Sequence, residues 1–162
     1  MMRKQEIKWS VMVYDSIEEL NAEDMSLLAD ARSQTQFAYA PYSNFNVAAV
    51  ARLVNGEIVK GTNQENAAYP AGICAERSLL SAAGTQYPGI GIKTMAISYH
   101  NLKGNNLRPV SPCGICRQSF AEFQQRTGQP VRLILAGMEG EVYIIENAVH
   151  LLPLVFGSDD MK

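Results

Sequence analysis

Cys74-Ala75-Glu76-Arg77 and Pro112-Cys113-Gly114-Ile115-Cys116-Arg117-Gln118 frame the part of the chain that decides its fold. Each segment opens a stretch of helical spacing, and each stretch is followed by a strand-like apolar run. The pattern predicts a helix from Ile73 or Cys74 to about Ala83, then a strand over Lys93–Tyr99. A polar, Asn-rich loop runs on through Leu107. A second helix is expected from about Cys113 to Arg126, followed by a buried strand over Val131–Ala136. The Gly137–Gly140 turn leads to a further strand over Val142–Glu146, and a short helical tail carries Leu151-Leu152-Pro153.

Upstream the pattern differs. Asn46–Leu53 and Glu57–Gly61 read as two strands joined across Asn55-Gly56, a strong short-range hairpin signal. Before them, about Ala22 to Ala38 has helical spacing at Met25, Leu28 and Ala31 and ends near the Pro41-Tyr42-Ser43-Asn44 turn. Ile7, Trp9, Val11 and Val13 share one face of a period-two pattern, which predicts an N-terminal strand. Helices packed on a mixed central sheet of about five strands, a three-layer α/β/α sandwich, is the architecture this order favours. No repeat or linker divides residues 1–162, so a single domain is expected, with residues 1–20 as an N-terminal extension bearing an extra strand.

Composition narrows the function. The 162 residues carry 47% hydrophobic and 19% charged side chains and a formal charge of −2, which describes an ordinary globular chain without the basic field that grips a phosphate backbone. Nucleic acid is therefore an unfavoured partner, and a small neutral ligand suits the chain better. No stretch has the length of a membrane-spanning helix, and the first residues lack a sustained apolar core of signal-peptide type. Three cysteines with no disulfide framework point to a reducing compartment, so a cytoplasmic location is expected.

All three cysteines lie in the two quoted segments, and together they read as one catalytic zinc site. Three thiolates hold the ion and leave its fourth tetrahedral position open, which separates a catalytic zinc from a structural one. Both segments fall at expected helix starts, where free N–H groups and the positive end of the dipole stabilise thiolates. Three thiolates on Zn²⁺ leave about one negative charge, which Arg77 and Arg117 are expected to offset by hydrogen bonds to sulfur, with Gln118 beside them. Glu76, two residues after the first cysteine, is placed to move protons at the open position. A redox reading of Cys113-Gly114-Ile115-Cys116 leaves Cys74 and Glu76 unused and lacks the tryptophan expected before its first cysteine. A structural zinc would need a fourth ligand, and neither His100 nor His150 stands at ligand spacing from a cysteine.

With these residues in hand, the chain resembles the cytidine deaminase family of short, homotetrameric, three-cysteine type. Besides the two zinc motifs, the resemblance rests on Pro41-Tyr42-Ser43-Asn44-Phe45, on Asn63-Gln64-Glu65-Asn66-Ala67, and on Leu151-Leu152-Pro153 followed by Phe156-Gly157. It covers about Ala38 to Gly157. Cys74 stands where related base deaminases have histidine. The resemblance implies one Zn²⁺ per subunit on Cys74, Cys113 and Cys116, and Glu76 as the proton shuttle. It implies hydrolytic deamination of cytidine and 2′-deoxycytidine in pyrimidine salvage. Phe45 would pack on the pyrimidine ring, Asn63 and Glu65 would bond the ribose hydroxyls, and the backbone around Ala75 would read the polar edge of the base. Phe156 would reach a neighbouring subunit's site in a tetramer with shared active sites.

Taken without the resemblance, Phe45 and Phe156 read as core packing, and Asn63 and Glu65 as a polar turn. Three segments depart from the family pattern: Gly61-Thr62-Asn63, Asn46-Val47-Ala48-Ala49 after Phe45, and Pro70-Ala71-Gly72 after Tyr69. All flank the expected substrate and leave the zinc motifs unchanged. They keep open a second substrate, another aminopyrimidine nucleoside such as blasticidin S.

Overall fold

Near-continuous apolar runs in the central strands build a sheet that is buried on both faces. A computed structural model describes all 162 residues. Six strands, β1 (Met12–Tyr14), β2 (Phe45–Leu53), β3 (Ile58–Thr62), β4 (Ile92–Asn101), β5 (Arg132–Ala136) and β6 (Val142–Ile145), form one sheet in the order β1-β6-β5-β4-β2-β3. Every neighbouring pair is antiparallel except β4 and β5. Ala49, Ala51 and Leu53 of β2, Met95 and Ile97 of β4, and Leu133 and Leu135 of β5 fill one core cluster. The intervening Val50, Ala96, Ile134 and Ala136 fill the other, as side chains on alternate faces must.

Three helices cover these faces. Helix α1 (Ala22–Gln34) places Leu27, Leu28 and Ala31 on the second cluster; fully burying a leucine contributes about 2 kcal/mol. Its N-cap Asn21 accepts a hydrogen bond from the Asp24 amide at 3.0 Å. The Asp24 carboxylate takes two 2.8 Å hydrogen bonds from the Arg132 guanidinium, which pins the start of α1 to β5. Helices α2 (Ala75–Gln86) and α3 (Gly114–Thr127) lie on the opposite face, contributing Leu79, Ala83, Phe120 and Phe123 to the larger cluster. The expected α/β/α sandwich is present. Helix α3 is the crossover between the parallel strands β4 and β5, the connection that parallel neighbours require.

Most expected elements fall within two or three residues of their places, with two corrections. The sheet has six strands, the expected five or so and the extra one of the N-terminal extension. That N-terminal strand is only Met12–Tyr14, while Ile7, Trp9 and Val11 lie exposed before it. The limit comes from its partner: β6 is four residues long, and β1 already pairs with Val142, Tyr143 and Ile144. The extension thus covers part of an otherwise open sheet edge. The C-terminal tail is a 3₁₀ turn over Ala148–Leu151, so Leu152-Pro153 falls beyond it. The β2–β3 hairpin turns at Gly56, whose φ of +90° favours glycine.

Gly61 carries a different constraint. A Cβ there would stand 2.5 Å from the Leu79 amide nitrogen and 2.6 Å from the Ala75 carbonyl oxygen, so β3 and α2 meet backbone to backbone. Gly61→Ala should lower unfolding stability in urea by about 2 kcal/mol through this overpacking; unchanged stability would mean that α2 yields freely.

Candidate active site

Two helix starts converge beside the ends of β2 and β4. Cys74 is the N-cap of α2, Cys113 is the N-cap of α3, and Cys116 lies in the first turn of α3. Neither N-cap side chain caps a backbone amide of its own helix, and the sulfurs lie near one another instead. Cys74 and Cys113 Sγ are 3.9 Å apart, Cys113 and Cys116 Sγ are 3.6 Å apart, and all three lie within 4.8 Å of one another. Zn–S bonds of about 2.3 Å in a tetrahedron require S···S edges of about 3.8 Å. The triangle therefore fits zinc. No histidine joins it; the His150 ring instead stacks on Trp9 at 6.3 Å.

The sulfurs are electrostatically unequal. The Cys74 thiol is drawn down to about 6, first by the neighbouring Cys116 thiol, then by that of Cys113 and by the charge of Arg77. The same pairing of Cys74 with Cys116, together with burial, pushes Cys116 up. Glu76, in the first turn of α2, is only 6% exposed. Burial raises its carboxyl above the ordinary carboxylate range, and the charge on Cys74 adds to the rise. A buried carboxyl with a raised proton affinity is suited to accept and return a proton near neutral pH.

In front of this cluster opens a cavity of about 600 Å³. Phe45, Asn63, Glu65, Ala75 and Glu76 all line it, together with Cys74 and Cys113. The Phe45 ring stacks on Tyr99 at 4.8 Å and 9°. Asn63 braces β2, donating from Nδ2 to the Phe45 carbonyl at 2.9 Å and accepting from the Val47 amide at 2.7 Å. One N–H and one lone pair of that amide remain for a ligand. Glu65 Oε2 accepts from the Tyr42 and Ser43 amides at 2.9 and 3.3 Å. Hydrogen bonding from the Ser43 side chain, first among several causes, lowers its proton affinity and keeps it ionised. Tyr42 and Tyr69, 5.9 Å apart edge to face, are further lining residues that the reading of motifs did not single out; Tyr42 lay in view within Pro41–Phe45.

The residues expected around the ligands behave otherwise than anticipated. Arg117 gives no hydrogen bond to sulfur: Nε donates to the Pro112 carbonyl (2.8 Å), Nη1 to the Leu151 carbonyl (2.9 Å) and Nη2 to Ser111 Oγ (3.1 Å). It is a tie between the loop before α3 and the C-terminal turn. Arg77 makes no hydrogen bond to sulfur either and acts on Cys74 through space. Gln118 Nε2 donates to the Phe156 carbonyl at 2.8 Å, away from the cluster. Phe156 itself is 60% exposed and is absent from the cavity of its own chain.

Three thiols at zinc-binding distances beside a buried carboxyl are the donor set that an open-site zinc-dependent hydrolase uses. Residues 21–128 match the family described as the cytidine and deoxycytidylate deaminase zinc-binding region. A cytidine deaminase of Halalkalibacterium halodurans is 34% identical over 136 residues, 84% of this chain and 96% of that one. One from Sporosarcina psychrophila is 35% identical over 137 residues, 84% and 93% of the two chains. The crystal structure of cytidine deaminase from Burkholderia pseudomallei superposes with a TM-score of 0.71 at 32% identity, covering 85% of this chain and 100% of that one. The chain belongs to the cytidine deaminase family. No helix is long and apolar enough to cross a membrane.

The inequality among the thiols is measurable. In metal-stripped protein, alkylation of Cys74 followed by peptide mapping should rise with a midpoint near pH 6, because the reactive thiolate predominates only above its pKa. Added zinc should abolish it. A midpoint near 9, the ordinary thiol value, would mean that the Cys116 thiol and Arg77 do not act on this sulfur.

Proposed function

We propose that the protein deaminates cytidine and 2′-deoxycytidine, using one zinc ion per subunit held by Cys74, Cys113 and Cys116. The observation that carries the reading is Glu76, buried at the cavity wall beside a sulfur triangle of zinc dimensions. Zinc at this site supplies Lewis acidity that makes a water nucleophilic at neutral pH. Overall, the water oxygen becomes bonded to C4 of the base, the C4–N bond breaks, and the amino group leaves as ammonia. Glu76 takes a proton from the water, delivers it to ring N3, and serves the departing nitrogen in turn.

The rest of the cavity orients the nucleoside. Phe45 packs on the base, and the backbone around Ala75, at the start of α2, reads its polar edge. Asn63 and Glu65 take the ribose hydroxyls, Glu65 with the oxygen that does not hold the Tyr42 and Ser43 amides. The charge pattern favours nucleosides over nucleotides: the lining includes Glu65 and Glu76 but no lysine, arginine or histidine to meet a phosphate. Free nucleosides as substrates agree with a role in pyrimidine salvage in the cytoplasm. The exposed Phe156 supports a homotetramer in which this ring enters a neighbouring cavity.

Loss of cytidine ultraviolet absorbance tests the reading. Wild type should convert cytidine and deoxycytidine and leave the 5′-monophosphates essentially untouched. Glu76→Gln should keep its zinc and lose roughly 10³-fold in turnover, the scale of a positioned acid–base group. A variant that still deaminates would remove Glu76 from the chemistry. Conversion of blasticidin S in preference to cytidine would transfer the same site to another aminopyrimidine nucleoside. Light scattering should give about four times the 17.8 kDa chain mass, and an active monomer would contradict the shared-site role of Phe156.

A further inference from the structure

We propose that Tyr99 is a positioning residue that locks the Phe45 ring and the loop delivering Cys113 into one fixed relation. The inference rests on the reading above for what Phe45 and Cys113 do. Tyr99 pairs with Val47 across β2 and β4, and Phe45 pairs with Asn101. Phe45 and Tyr99 are therefore diagonal neighbours on one face of the sheet, within reach of each other's rings. They stack almost parallel at 4.8 Å. Tyr99 is 6% exposed and lines the cavity wall beside Phe45, so the ring that packs on the base is held by a largely buried neighbour.

The hydroxyl does a second job. It donates a 2.8 Å hydrogen bond to the Arg108 carbonyl, in the loop between β4 and Cys113. The first part of that loop is held by Asn106, which accepts from the Asn101 amide at 2.6 Å and donates to the Asn101 and Gly104 carbonyls. Its last part is held by Arg117, through Ser111 and Pro112. Over residues 107–110 the Tyr99 hydroxyl makes the sole hydrogen bond. Pro109 and Pro112 have no amide hydrogen to give, and Leu107 and Val110 are exposed. A tyrosine needed only for packing would not require this reach. Removing the hydroxyl should loosen the approach to Cys113, and removing the ring should also tilt Phe45.

The test compares zinc-loaded wild type, Tyr99→Phe and Tyr99→Leu by the rate at which a coloured chelator captures zinc and by kcat and KM for cytidine. Thermal melts identify any variant that does not fold; Tyr99→Phe keeps the ring and decides alone if the leucine variant fails. Tyr99→Phe should release zinc about fivefold faster, the scale of one hydrogen bond, with KM unchanged. Tyr99→Leu should in addition raise KM about fivefold through loss of the stacked pair, with kcat nearly preserved. Wild-type zinc release together with wild-type KM in the folded variants would overturn the proposal, as would a fall in kcat alone. A wild-type protein that leaves cytidine unchanged would instead refute the substrate reading, and the zinc-release comparison would still decide the role of the hydroxyl.

Discussion

Three sulfur atoms within 4.8 Å of one another are the constraint around which this molecule is arranged. Like-charged thiolates repel, so ionisation of the cluster depends on the positive potential that the fold supplies there. Two helix N-termini meet there, α2 through Cys74 and α3 through Cys113, and each presents the positive end of its dipole. Arg77 adds a full charge through space. The parallel β4–α3–β5 crossover sets where α3 begins, and the backbone contact of β3 with α2 at Gly61 sets how closely α2 can lie. Sheet, helices and metal site are thus one geometric problem.

The same arrangement separates two kinds of carboxylate. Glu76 is buried beside the sulfurs, and desolvation raises its proton affinity. Glu65 is bound by amides and a hydroxyl of the Tyr42–Ser43 turn and stays ionised. One suits proton transfer and the other suits accepting hydrogen bonds from a sugar, and the difference comes from surroundings rather than from residue type.

Much of this was legible in the chain because it is local. An N-cap cysteine followed by a helical period, or Asn-Gly between two apolar runs, declares its structure within a few residues. The three cysteines belong to that class, since helix starts position them. What stayed hidden depends on distant partners. Arg117 sits beside a ligand in sequence, yet Leu151, 34 residues away, claims its guanidinium. The N-terminal alternation promised a longer strand than the short β6 can pair. Tyr99 gave no motif signal at all, because its stacking on Phe45 follows from the cross-strand register.

Zinc held by three thiolates, with one position left for a light atom, is the arrangement on which the proposed chemistry depends. X-ray absorption at the zinc edge of the purified protein tests it most directly. Three sulfur neighbours at about 2.3 Å and one oxygen or nitrogen at about 2.0 Å are expected, without the multiple scattering of an imidazole. A four-sulfur shell, a histidine ligand, or folded protein that takes up no zinc would contradict it.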